Sequence, residues 1–128
     1  MARLQFVPLQ GNPAPYVEEP INDLAFFAWV AQAAPGETLV YHRGFLGIDI
    51  GPGMSRFGEP GRRRLLGLAQ AALSAFEAGL VHLVQVRVEP DRFAYLAVAR
   101  RKPVHASAAL ARLVAAAAGR EDLAAAAA

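Results

Sequence analysis

Apolar residues recur at helical spacing shortly after a proline-rich start of the chain. Residues 1–20 hold four prolines, which interrupt helices, so we predict an extended arm in which residues 4–9 could form an edge strand. Asn22 is suited to cap a helix that ends at Pro35 and Gly36. The apolar residues of this helix that follow i, i+3, i+4, i+7 spacing are Phe26, Trp29, Val30 and Ala33.

A strand and a longer helix are predicted next. Residues 38–50 are rich in Val, Ile, Phe and Tyr, which favour a strand, and Gly44 and Gly47 indicate a bulge or bend in it. Residues 51–61 hold four glycines and two prolines and predict a loop. Residues 62–78 predict a helix that ends at Gly79. Its predicted apolar face consists of Leu65, Leu66, Ala69, Ala72, Leu73 and Phe76.

The remaining chain predicts a β-hairpin followed by a helix. Strands at 81–89 and 92–100 flank a turn at Pro90 and Asp91. A two-residue turn would pair Val88 with Phe93, Val86 with Tyr95 and Val84 with Ala97. Residues 104–128 are dominated by alanine and predict a helix with Ser107 as N-cap, ended by Gly119 and followed by a short tail.

These elements predict one α+β domain of order α-β-α-β-β-α with a small antiparallel sheet. Its parts are an extended arm at 1–20, a helix–strand–helix–hairpin core at 21–103, and an alanine-rich helix and tail at 104–128. A chain of 128 residues can bury a core without a metal or disulfide. The expected core residues are Phe26, Trp29, Val30, Val40, Leu65, Leu73, Phe76, Val84, Val86, Phe93 and Tyr95.

Composition excludes several classes of protein. Hydrophobic residues make up 55% of the chain, but 28 of its residues are alanine, and no stretch reaches the ~18–20 apolar residues of a membrane span. The N-terminal residues lack the apolar core of a signal peptide. The absence of cysteine excludes disulfides, thiolate catalysis and Cys-ligated metals. We therefore expect a cytoplasmic protein with no membrane contact, no metal site and no cofactor.

Positive charge is concentrated in the middle of the chain. Residues 1–55 carry two arginines against five acidic residues, whereas residues 56–104 carry eight arginines and one lysine against four acidic residues. Arg62, Arg63 and Arg64 stand at the predicted start of a helix, where the helix dipole favours anions, so a bound phosphate would account for them. The alternative is a solvated cluster that reflects the codon bias of a GC-rich genome.

One part of the sequence resembles a known family. Residues 73–81 (Leu-Ser-Ala-Phe-Glu-Ala-Gly-Leu-Val), a strand, Glu-Pro-Asp-Arg at 89–92 and a return strand resemble the second half of winged-helix DNA-binding domains, over about residues 62–101. In that family a recognition helix runs directly into a wing hairpin, and another helix precedes the recognition helix, where this chain has the loop at 51–61. The size and the alanine- and arginine-rich composition look like those of phage or prophage accessory proteins.

The resemblance implies a non-enzymatic protein that binds DNA or RNA, with a role in transcription regulation. The implied contacts of the recognition helix are Arg62, Arg63, Arg64, Gln70 and Ser74. Arg87 and Arg92 would lie in the wing against the sugar–phosphate backbone, and Arg100, Arg101 and Lys102 would add non-specific charge. No catalytic or metal-binding residue is implied.

Two other classes remain open. Tyr41, His42 and Arg43 could hold a phosphate while His42 acts as acid or base, although strand alternation would place His42 opposite the other two. His42 and His82 could also meet across neighbouring strands as a ribonuclease-like pair. The remaining class is a protein-interaction module that acts as a homodimer or on a protein partner through the arm, the alanine-rich helix or the hairpin.

Overall fold

The computed structural model describes residues 21–90 and 92–127, with side chains as far as residue 119. Within these ranges the elements are α1 (Asp23–Gln32), β1 (Thr38–Gly44), α2 (Leu46–Asp49), α3 (Glu59–Glu77), β2 (Val81–Glu89), β3 (Arg92–Ala99) and α4 (Ala106–Ala127). The fold is α+β, as predicted, with α2 as an additional one-turn helix. The predicted arm at 1–20, its edge strand at 4–9 and the turn residue Asp91 lie outside the described residues.

The ends of α1 and α3 follow from local signals. The Asn22 side chain accepts a hydrogen bond from the backbone N of Ala25 at 2.8 Å, which confirms the predicted N-cap. Gly79 has φ +79°, and the backbone nitrogens of Gly79 and Leu80 donate to the carbonyls of Phe76 and Ala75. This is the Schellman arrangement, in which glycine supplies the left-handed conformation.

The three strands form an antiparallel sheet of order β1-β3-β2. Glu89 pairs with Arg92 at the hairpin turn, but an irregularity between Arg87 and Glu89 makes Arg87 the partner of Phe93. The predicted register is therefore wrong by one residue beyond the turn, because the bulge leaves Val88 without a partner in the ladder. A shift of one residue exchanges the two faces of a strand, so the side chains that meet across the hairpin also differ from the prediction.

Strand β1 is shorter than predicted and contains a bulge. It ends at Gly44 rather than at residue 50, because Gly44 has φ +140° and turns the chain into α2. The register shifts between Val40 and His42. As a result the rings of Tyr41 and His42 both lie against Tyr95, at 6.4 and 5.8 Å between centroids. The predicted alternation, with His42 opposite Tyr41, is therefore wrong.

The buried face of α3 shares Leu65 and Ala72 with the predicted face but is rotated away from Leu73 and Phe76. Its fully buried side chains are Leu65, Leu68, Ala71, Ala72 and Ala75. Leu73 and Phe76, predicted as core, remain 50% and 45% exposed. Helices α1 and α4 pack on α3, and small alanine side chains let helices approach closely. The side of α3 that carries Leu65, Leu68 and these alanines thus faces the core, while Leu73 and Phe76 stay at the surface.

The core lies between the helices and one face of the sheet. Tyr95 and Ala97 of β3 belong to it. Val40 and Val84 both pair with Leu96, and Val86 pairs with Ala94, so these three valines, predicted as core, line the opposite face and are only half-buried. Helix α4 continues through Gly119 to Ala127, so its predicted end is wrong. One glycine costs a helix only about 1 kcal/mol, which the surrounding alanines tolerate.

Candidate nucleic-acid interface

One end of the sheet brings together the end of β1 and the tip of the hairpin. Gly44 and Arg87 pair with the same residue, Phe93, from opposite sides. The ring of Phe45, just after β1, lies 5.9 Å from that of Phe93, and the two rings meet edge to face. The hairpin turn at Glu89 and Arg92 follows directly beyond this row.

The start of α3 and the loop before it are hydrogen-bonded to the same end of the sheet. Arg62 Nη1 donates a hydrogen bond to the carbonyl of Ile50, just after α2, at 2.8 Å. Arg56 Nη2 donates to the carbonyl of Arg43, near the end of β1, at 2.6 Å. We call this region the basic end. Its arginines are Arg56, Arg62, Arg63, Arg87 and Arg92.

The arginines on α3 are held in the protein to different degrees. Arg62 Nε and Nη2 donate to the two oxygens of Glu59 at 3.0 and 2.7 Å, and its side chain is only 15% exposed. Arg63 also contacts Glu59, through Nε at 3.2 Å, but is largely exposed. Arg64 is half-buried and has interactions of its own. Of these three predicted contacts, Arg63 is the most accessible to a ligand.

Glu59 changes the interpretation of this arginine cluster. Helix α3 begins at Glu59, three residues before the predicted start, with Pro60 in its first turn. A carboxylate therefore occupies the positive end of the helix dipole, where the sequence prediction places only arginines. The hydrogen bond from Arg62 lowers the pKa of Glu59 to about 2, so its negative charge persists. A phosphate is not required to account for Arg62.

The hairpin arginines remain accessible. The guanidinium of Arg87 lies over the ring of Phe93, 5.5 Å from its centroid. Arg92 Nη1 lies 3.4 Å from an oxygen of Glu89, and both of these side chains are exposed. Exposed ion pairs of this kind are weak, so Arg92 can exchange Glu89 for another anion.

The other predicted contacts lie elsewhere. Gln70 is exposed and Ser74 half-buried, both further along α3. Arg100 and Arg101 are exposed where β3 ends, at the opposite end of the sheet from the hairpin turn. Lys102 Nζ donates to the carbonyl of Ala33 at 2.9 Å and so caps the C-terminal end of α1. The structure does not bring these residues together with the basic end.

A buried contact beneath the basic end was not predicted. His42 Nε2 lies 2.8 Å from Asp49 Oδ2, and the two side chains are only 4% and 6% exposed. The same oxygen accepts from the backbone N of Phe45 at 3.3 Å, and Arg56 Nε lies 3.4 Å from Asp49 Oδ1. We call His42, Asp49 and Arg56 the clasp. It joins β1, α2 and the loop before α3.

Gly44 makes room for the clasp. A Cβ at this position would overlap Arg56 Nη2 and would lie 2.6 Å from Asp49 Oδ2. Its φ of +140° is also one that other residues rarely adopt. Glycine is therefore required here for two reasons, and the bulge or bend that Gly44 indicates within the predicted strand is the only signal of this in the sequence.

The chemistry of His42 is that of a structural group. Burial lowers its pKa below the ordinary 6.5, although the hydrogen bond to Asp49 acts in the opposite direction. His42 is therefore neutral at pH 7, and its Nε2–H donates to the carboxylate, which can only accept. Burial likewise raises the pKa of Tyr41 to about 12.

The predicted catalytic pair of His42 and His82 is wrong. Strand β3 separates β1 from β2, and His82 is exposed whereas His42 is buried. Tyr41 and His42 are both buried, so neither ring is open to a substrate. The structure therefore does not assemble either enzymatic arrangement considered from the sequence.

The comparisons with known proteins add no relative. No family model, curated protein or solved structure matches the chain. Among the side chains that the structure describes, which reach residue 119, no group of three or more His, Asp or Glu is placed to hold a metal ion. Within residues 21–90 and 92–127, no helix combines the length and the apolar character of a membrane span.

Proposed function

We propose that this chain is a winged-helix-like, non-enzymatic protein that binds DNA or RNA at the basic end. The order of its helices and strands supports a winged-helix arrangement, because α3 runs directly into the β2–β3 hairpin. Helix α2 supplies a helical turn between β1 and α3, where that family has its second helix. The hairpin takes the position of the wing.

The observation that carries the proposal is that two basic segments lie at the same end of the sheet. The start of α3 and the tip of the hairpin are far apart in sequence, yet both lie at the basic end. These are the recognition helix and the wing of the resemblance. Arginine suits this role because its guanidinium matches phosphate oxygens in two-point contacts.

The experiment compares two variants with equal loss of charge. Arg63→Ala/Arg87→Ala removes two accessible arginines from the basic end and leaves Arg62 in its structural contacts. Arg100→Ala/Arg101→Ala removes two exposed arginines from the opposite end. Binding of a labelled random duplex is measured by fluorescence anisotropy between about 50 and 200 mM salt.

We expect the first variant to bind more weakly. Its plot of log affinity against log salt concentration should have a slope shallower by about 2, because each lost phosphate contact reduces that slope by about 0.9. The second variant should retain the wild-type slope. Absence of salt-dependent binding by the wild type, or equal losses in the two variants, would contradict the proposal.

A protein-interaction module is the second candidate, and the exposed side of α3 favours it. Leu73 and Phe76 form an apolar surface that the described residues do not cover. A homodimer seen by size exclusion with light scattering, and abolished by Leu73→Ser/Phe76→Ser, would support this role. If both the wild type and the variant are monomeric, the proposal that this surface forms a homodimer is contradicted.

A further inference from the structure

Phe45 is an exposed aromatic residue within the basic end. It lies between β1 and α2, and 46% of it is open to solvent. Ile48 of α2 and Met54 of the loop before α3 are also exposed.

The ring of Phe45 is held in place by a row of aromatic rings that begins in the core. Consecutive centroids along this row lie 6.0, 6.4, 6.3 and 5.9 Å apart. The rings, in order, are Phe26, Tyr41, Tyr95, Phe93 and Phe45. Phe45 is therefore the exposed end of a packed row, although it lies in a connection between two elements.

The backbone at Phe45 is also fixed. Its N–H donates to Asp49 Oδ2 at 3.3 Å, and the N–H of Leu46 donates to Tyr95 Oη at 3.0 Å. Both acceptors are buried side chains. A ring that is already fixed loses little conformational freedom when a flat ligand stacks on it, so the cost of binding is reduced.

Two arginines lie in the surroundings of this ring. The guanidinium of Arg87 covers Phe93, the ring next to Phe45. Arg56 Nε lies 3.4 Å from the carboxylate of Asp49, which also accepts from the backbone N of Phe45, and the Arg56 side chain is 39% exposed. An aromatic ring beside arginines is the arrangement by which proteins bind single strands: bases stack on the ring and phosphates pair with the cations. A base inside a duplex has both faces covered by its neighbours, so only an unpaired or terminal base can stack on Phe45.

We infer that the basic end takes single-stranded nucleic acid, with one base stacked on Phe45 and adjacent phosphates held by Arg56 and Arg87. This inference rests on the proposed function and specifies its ligand. Phe76 provides a comparison, because it is equally exposed at 45% but lies near the other end of α3, beside Glu77.

The test measures the affinity of the full chain for labelled oligo-dT, oligo-rU and a blunt duplex of the same length by anisotropy. Phe45→Ala should weaken binding of the single strands about 10-fold or more, since stacking of one base contributes on that scale. Binding of the duplex should change less than about 2-fold, because it rests on phosphate contacts. Comparison of dT with rU shows whether DNA or RNA is preferred.

Three further variants complete the design. Phe45→Leu retains apolar packing on Phe93 without an aromatic face, and should lose single-strand affinity as Phe45→Ala does. Phe45→Trp should retain the affinity, and Phe76→Ala should behave as wild type. Urea unfolding of each variant, followed by the fluorescence of Trp29, shows that the fold is kept.

The outcomes separate the inference from the proposed function. If Phe45→Leu and Phe45→Ala bind single strands as wild type does, while Arg63→Ala/Arg87→Ala weakens binding, stacking is refuted and the proposed function stands. If the arginine variant binds every probe as wild type does, the proposed function fails and the inference with it. Equal losses for single strand and duplex in Phe45→Ala would also refute stacking.

Discussion

Replacement of Asp49 by alanine tests whether the clasp stabilises the fold. Asp49 accepts from His42 Nε2 at 2.8 Å and from the N–H of Phe45 at 3.3 Å, and Arg56 Nε lies 3.4 Å from it. The His42 side chain is only 4% exposed, so its donor would have no water to replace the carboxylate. Leaving a buried donor without an acceptor costs about 1–3 kcal/mol.

The ion pair of Asp49 with Arg56 adds less. The Arg56 side chain is 39% exposed and can turn to water, and a half-exposed ion pair contributes little. Removal of the carboxylate also removes the desolvation cost of a buried charge, which offsets part of the lost stability. We therefore expect Asp49→Ala to lower the free energy of unfolding by about 2 kcal/mol. A domain of this size has a free energy of unfolding of about 5–15 kcal/mol, so the variant should still fold.

The assay is urea unfolding followed by Trp29, the single tryptophan of the chain, which packs against the core. With a typical denaturant slope, the midpoint should fall by roughly 1 M. His42→Leu and the double variant complete a cycle, in which the double variant should lose about 1–2 kcal/mol less than the sum of the single losses. A loss below about 0.5 kcal/mol for Asp49→Ala, or additive losses, would refute the reasoning.

Two other predictions concern the same region. Because burial lowers the pKa of His42 below 6.5, the unfolded chain gains a proton on acidification before the folded chain does. The free energy of unfolding should therefore reach its full value above about pH 6.5 and fall by up to about 1.4 kcal/mol per pH unit below it. Urea midpoints measured down to about pH 5 should show this fall, and the His42→Asn variant should not show it. Gly44→Ala should cost about 2–4 kcal/mol, because its Cβ would overlap Arg56 and its φ is +140°. The matched change Gly53→Ala, at φ +84° with no atom within 4 Å of the new Cβ, should cost only about 1 kcal/mol; similar losses for the two would contradict the steric argument.

Features that depend on neighbouring residues in the chain were predictable. Asn22 caps α1 because its side chain reaches a backbone nitrogen three residues on. Gly79 ends α3 because a left-handed residue is needed there. The hairpin follows from β-branched and aromatic strands around Pro90, and the concentration of arginine between residues 56 and 104 is a property of the sequence itself.

Features that depend on packing between distant segments were not predictable from the sequence. Periodicity assigned Leu73 and Phe76 to the core because they are large and apolar, but the contacts with neighbouring helices bury the side of α3 that carries Leu65, Leu68 and three alanines. The bulge at Val88 shifted the hairpin register. The residues of the turn could not predict this shift, because they do not determine how the strands pair further along the sheet. No spacing rule predicts the contact of His42 with Asp49, which exists only because Gly44 turns the chain back.

The candidate site shows the same division. The sequence by itself determined that the chain is rich in arginine, has no cysteine and forms an α+β domain with a helix leading into a hairpin. Only the tertiary structure decided that Arg63 and Arg87 share one end with Phe45, that Arg62 and Lys102 are engaged in the fold, and that Arg100 lies at the far end. The physical reason is that charge and helix or strand preference act over a few residues, whereas a common surface arises from contacts between segments distant in the chain.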